Sequence, residues 1–146
     1  MQTGQLFLWN NFPYPKDNSQ KTRLFIFLGK SNIFLPPIVA YIITFTSQTQ
    51  HYNPNSDREK NTIVKFKEGE FGLDKDSVAD LDNDFFDFIP ESEINTCGDI
   101  KVIGQISSEK LKLIYKKLLQ TGISKKIKYD IHQCLNNAGV TGLKKP

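Results

Sequence analysis

The sequence predicts a mainly β, α+β domain: a small barrel or sandwich of short strands with amphipathic helix at its C-terminal end. Over the first two thirds, β-branched and aromatic residues alternate with polar ones or form short apolar runs, cut by clusters of turn formers. Over the last third the apolar spacing changes to that of a helix. A chain of 146 residues, 38% of them hydrophobic, is long enough to bury a core without disulfides or metals.

Gln5 to Trp9 is the first expected strand. Arg23 to Leu28 (RLFIFL) and Ile38 to Thr46 (IVAYIITFT) are nearly continuous apolar runs and read as buried strands. Asn61 to Phe66, Ser77 to Leu81 and Phe85 to Ile89 follow. The separators are residues 13–19 (PYPKDNS), Pro36-Pro37, Asn53-Pro54-Asn55-Ser56 and the region of Gly69 and Gly72. Ser107 or Ser108 caps a helix whose Leu111, Ile114, Tyr115 and Leu118 share one face, and Gly122 stops it. A further helix is expected from Ser124 to Ala138, with Gly139 after it and a frayed LKKP end. The expected organisation is a barrel domain over residues 1–121 and a basic helical extension over residues 122–146.

The net charge of +3 conceals three unlike blocks. Residues 1–67 sum to +5, residues 68–99 to −10 and residues 100–146 to +8. A fold that gathers the basic residues of the first block presents a positive face, and the acidic block is expected to point away from it. No apolar run approaches the roughly 18 residues of a membrane span, and MQTGQLFLWN lacks the basic and long apolar regions of a cleaved signal. A cytoplasmic protein is expected, with no membrane partner. Its two cysteines, Cys97 and Cys134, form no C-x-x-C pair, which argues against a zinc site or disulfide framework.

Asp80, Asp82, Asp84 and Glu91 match acidic positions of a calcium loop, yet Phe85 stands where the sharp turn needs glycine. His51 and His132 are far apart with no nucleophile elbow, so a hydrolase triad is unsupported. The polar run Thr46-Ser47-Gln48-Thr49-Gln50-His51 ends an otherwise apolar strand. Such side chains hold a polar substrate, and an ordinary hydrogen-bonded loop would look the same.

Four segments in order resemble the MazF/PemK (Kid) family of toxin endoribonucleases of type II toxin–antitoxin systems. They are Gly4 to Trp9 with Lys21-Thr22-Arg23-Leu24-Phe25-Ile26-Phe27-Leu28, then Pro37 to Gln50, then GLDKDSVADLD (Gly72 to Asp82), then IGQISSEKLKLIYKKL (Ile103 to Leu118). Gln5 replaces the family's usual acid, Leu24 its proline, and Asp80 the arginine of many members. The resemblance implies an SH3-like β-barrel, usually a homodimer, that cleaves single-stranded RNA, including mRNA, without a metal or cofactor and is held by a cognate antitoxin peptide. In that scheme Arg23 stabilises charge on the phosphorane, Thr46 positions the phosphate or 2′-hydroxyl, and Asp82 is a base. Lys16, Lys21, Ser47, Gln48, His51 and Tyr14 are the expected substrate-binding residues; Trp9, Phe12 and Tyr14 are candidates for base stacking or for core. The alternative is a catalytically inactive MazF-like barrel that binds nucleic acid or protein.

Overall fold

Strands that are apolar on both faces must be covered on both, and the arrangement of this chain follows from that requirement. The computed structural model describes residues 1–16, 21–32 and 34–146, so residues 17–19 of the first expected turn lie outside the described residues. The strands are β1 (Gln5–Trp9), β2 (Arg23–Lys30), β3 (Val39–Thr46), β4 (Ile63–Phe66), β5 (Ser77–Asp80), β6 (Phe86–Pro90) and β7 (Ile100–Gln105). The helices are α1 (Glu91–Thr96), α2 (Ser108–Leu118) and α3 (Lys125–Asn137). All pairings are antiparallel, in the order β4-β5-β3-β2-β1-β7, with β6 also on β3. The α+β class is therefore as the sequence predicts.

Alternation sorts the central strands into two cores. Leu6, Ile26, Leu28, Tyr41, Ile43 and Phe45 pack with the apolar stripes of α2 and α3. Phe7, Trp9, Phe25, Phe27, Ala40 and Ile42 face the other way, against Phe12, Ile89 and Ile94. Each fully buried Ile, Leu or Phe contributes about 1.5–3 kcal/mol. This two-sided burial is why β2 and β3 read as continuous runs rather than as half-buried strands.

The Ser107 and Ser124 side chains cap α2 and α3, accepting from the Lys110 and Ile127 N–H groups at 3.3 and 3.4 Å. The Tyr41 hydroxyl donates to Asp130 at 2.7 Å and ties α3 to β3. At Gly29 a Cβ would sit 3.1 Å from that of Cys134, so the glycine sets how closely α3 approaches β2. The α3 side chains Ile131 and Leu135 share one core with α2 and the strands. The segment after α3 also docks: Val140 is buried, and Tyr115 donates to the Lys144 carbonyl at 2.5 Å. Among the described residues no helix is long and apolar enough to cross a membrane.

Two elements are additional to the sequence expectation. β7 is an edge strand with Val102 exposed, so its composition carries little apolar alternation. α1 has only six residues and no side-chain cap. Among the described residues no ladder joins β4 to β7. Instead the turn after β4 lies across β7, where a Cβ on Gly104 would overlap the Phe71 carbonyl oxygen and one on Gly72 would lie 2.6 Å from that of Ile103. Phe71 adopts φ 51°, a left-handed conformation rare for an aromatic residue, and its ring packs edge-on to Phe66 at 6.1 Å.

Gly104→Ala is expected to cost about 3 kcal/mol, because the obstructing atom is backbone. Gly122→Ala meets no atom within 4 Å and is expected to be neutral or stabilising by about 0.5 kcal/mol. Urea denaturation of both variants checks the pair.

Candidate functional site

Strand β3 changes partners partway along one edge. Val39 to Ile43 pair with β6, whereas Phe45 and Thr46 pair with β5. Thr44 sits at the change. The chain between β5 and β6 must leave the sheet there, and Asn83–Phe85 form a short 3-10 turn beside the fork. A cavity of about 310 Å³ opens at this point, lined by Thr44, Asp84, Phe85 and Asp87. Phe12, Tyr14, Lys16 and Lys21 join it from the β1–β2 connection, Arg23 and Phe25 from β2, and Gln48 and Arg58 from the β3–β4 connection. A neighbouring cavity of about 400 Å³ shares Lys21, Arg23, Thr44 and Gln48 and adds Thr46 and Ser47.

Arg23 opens β2, paired with Trp9 of β1. Two residues on, Phe25 points to the same side of the strand into the aromatic core, where it meets Phe12 at 4.8 Å between ring centroids. The guanidinium thus stands at the rim of a rigid apolar floor. Leu24 pairs with Phe45 and Phe25 with Thr44, so Arg23 and Thr46 close the same end of β2 and β3. Asp87 pairs with Ile42 on β6 and belongs to the same face. Burial pushes the Asp87 carboxyl above the usual carboxylate range, while Lys16 and Arg23 pull it the other way.

Of the sequence-expected residues, Arg23, Lys16, Lys21, Gln48 and Tyr14 meet in the fork cavity, and Thr46 and Ser47 line its neighbour. The Thr46 hydroxyl accepts from the Gln48 N–H at 3.1 Å and closes the turn that presents Gln48. His51 lines neither cavity. It lies between Asp57, at 3.2 Å, and the Gln48 side-chain oxygen, at 3.3 Å, and so buttresses the glutamine. Asp82 also lines neither: its oxygen accepts from the Thr62 N–H at 3.4 Å and its N–H donates to Asp80 at 3.0 Å. Lys16 donates to the Asp84 carbonyl oxygen. Trp9 and Phe12 are buried in the core, whereas Tyr14 is about half exposed, its hydroxyl donating to the Glu93 carboxylate at 2.8 Å.

Three polar cavity residues escape the sequence reading. Asp87 is an acid inside the apolar stretch FFDFI, and Thr44 a hydroxyl inside IVAYIITFT; both interruptions were visible signals. Arg58 lies on the connection after β3, and nothing local marks it. The acidic block does not keep away from the basic residues, since Asp84 and Asp87 come from it. Asp80, the first acid of the calcium-like run, is fully buried and accepts from Tyr52 and Asn61, each at 2.8 Å. Among the described residues no group of three His, Cys, Asp or Glu side chains is placed to hold a metal ion.

The raised Asp87 pKa makes the residue a cost to the fold once it ionises. Below the ordinary carboxylate range, about pH 4, Asp87 is protonated in both folded and unfolded chains. As pH rises through its folded value, the stability of the protonated form is lost. Asp87→Asn is therefore expected to be more stable than the native protein at pH 7 and equal to it at low pH, measured by urea denaturation at each pH.

No protein-family model and no curated protein matches this chain.

Proposed function

We propose that this chain is a MazF/PemK-like endoribonuclease, built on an SH3-like barrel, that cleaves single-stranded RNA by attack of the 2′-hydroxyl on the adjacent phosphodiester. The observation that carries the reading is the convergence of Arg23, Lys16 and Lys21 with the half-buried Asp87 and the Thr44 hydroxyl on one crevice. A guanidinium matches phosphate oxygens bidentately and stays charged, so Arg23 stabilises the extra negative charge of the phosphorane. Lys16 and Lys21 hold the flanking phosphates, and Thr46, Ser47 and Gln48 orient the strand in the adjoining cavity. Asp82 is the carboxylate to which the resemblance points, but Asp87 faces the cavity and we assign it the proton. Asp87 takes the 2′-hydroxyl proton, the 2′-oxygen bonds to phosphorus as the bond from phosphorus to the 5′-oxygen breaks, and the 5′-oxygen takes a proton from a water whose hydroxide is neutralised by the proton on Asp87. The products are a 2′,3′-cyclic phosphate and a free 5′-hydroxyl. The resemblance adds a homodimer, a cognate antitoxin peptide and a cytoplasmic setting to the proposal.

One observation favours the second reading, a barrel that binds without cutting. Asp80 stands where many members of the resembled family carry arginine, and its carboxylate is buried against Tyr52 and Asn61, so that position supplies no cation. Long single-stranded RNA incubated with the protein and a chelator separates the two. Discrete fragments are expected; intact RNA that remains bound supports the second reading.

Arg23→Ala is expected to abolish cleavage while the thermal transition stays within a few degrees of native, and undiminished cutting would sink the assignment. Asp87→Asn is expected to lower the rate about 100-fold or more and to remove the rise of activity with pH that accompanies ionisation of Asp87.

A further inference from the structure

Resting on the cavity being an RNA site, we propose that Arg58 is its second guanidinium: the β3–β4 connection delivers it, a Tyr52–Asp80 clasp holds it, and it grips a phosphodiester of the bound strand opposite Arg23. The clasp is a buried carboxylate that ties down both ends of one excursion. Asp80 of β5 is fully buried and accepts from the Tyr52 hydroxyl near the start of the excursion and from the Asn61 amide at its end, both at 2.8 Å. Burial pushes the Tyr52 hydroxyl up to about 12, its bond to Asp80 adds to the rise, and the phenol stays a donor. Between these anchors the chain is folded on itself, with the Ser56 hydroxyl donating to the His51 carbonyl at 2.7 Å and the Arg58 N–H to the same carbonyl at 2.9 Å.

This scaffold fixes the side chain as well. The Arg58 guanidinium lies 4.7 Å from the Phe85 ring centroid and 5.8 Å from that of Tyr52, and it donates to the Tyr52 hydroxyl at 3.4 Å. Among the described residues no carboxylate forms an ion pair with Arg58. It is thus a cation held by two aromatic rings and one hydroxyl, with most of its five donors unspent. Among the described residues the cavity it lines also holds Arg23, Lys16 and Lys21 with two carboxylates, Asp84 and Asp87. A surplus of cations on a walled crevice fits an anionic ligand, and one phosphodiester per guanidinium fits a single strand.

The test uses the full chain and a labelled single-stranded RNA in which fluorine replaces every 2′-hydroxyl, so that binding is read without cleavage. Fluorescence anisotropy across a salt series gives affinity and slope. Arg58→Ala is expected to bind about tenfold more weakly and to lower the salt slope by about 0.7, with an unchanged thermal transition. Arg58→Lys is expected to keep the slope, since the charge remains, while recovering only part of the affinity. Tyr52→Phe is expected to weaken binding less than Arg58→Ala and to add nothing to it in the double variant. Native affinity and slope in Arg58→Ala, alongside loss in Arg23→Ala, overturn this inference and leave the ribonuclease reading standing. Binding that is normal in the native protein with no cleavage of ordinary RNA overturns the ribonuclease reading and leaves the Arg58 contact intact. Absence of binding by the native protein overturns both.

Discussion

Strand β3 serves two partners along one edge, β6 beside its first half and β5 beside its last residues. A sheet cannot accommodate that division without a gap, because the chain joining the two partners has to leave the plane and return. The gap falls at Thr44, and the turn at Asn83–Phe85 forms one of its walls. The other edge of β3 pairs with β2 from Ala40 to Phe45, and opposite the fork the ladder runs without a break from Leu24 to Phe27, so the gap has a paired strand behind it.

Beneath the fork lies an aromatic floor of Phe7, Trp9, Phe12 and Phe25. Phe7 and Phe25 stack with centroids 5.6 Å apart, and Trp9 meets Phe12 edge-on at 5.0 Å. Close packing of this kind makes the rim stiff, and Arg23 and Asp87 stand on that rim. Burial on this face is the physical origin of the raised Asp87 pKa, with Lys16 and Arg23 acting against it. Core and site are therefore one construction. The buried Asp80 is its counterpart on the β5 side: satisfied by Tyr52, Asn61 and the Asp82 N–H, it acts as a fastening for the chain that reaches over the cavity.

Much of the fold was legible because its signals are local. The serine caps locate the starts of α2 and α3 and the apolar periodicity locates their buried faces, though α2 ends at Leu118, short of the expected stop at Gly122; the apolar blocks locate β1 to β6. β7 escaped because an edge strand needs no apolar face, and α1 because six residues carry too little periodicity. In the site, Arg23, Lys16, Lys21, Gln48 and Tyr14 were legible as candidates and share one cavity. His51 looked equally eligible in the polar run after β3, but the 3-10 turn at Thr49–Tyr52 carries it behind Gln48.

The net charge of +3 also loses its meaning as a single number. Acidic and basic blocks far apart in sequence meet at the fork, with Asp84 and Asp87 from one and Lys16, Lys21, Arg23 and Arg58 from the other. The sequence by itself determined what depends on neighbours along the chain: the positions of β1 to β6, α2 and α3, the helix caps, the buried character of β2 and β3, and the residue types able to handle a phosphodiester. Only the tertiary structure decided which of those residues face one another. That depends on strand register and on where β3 changes partners, and both are set by contacts between segments far apart in sequence, such as Ile42 with Asp87 and Phe45 with Ala79.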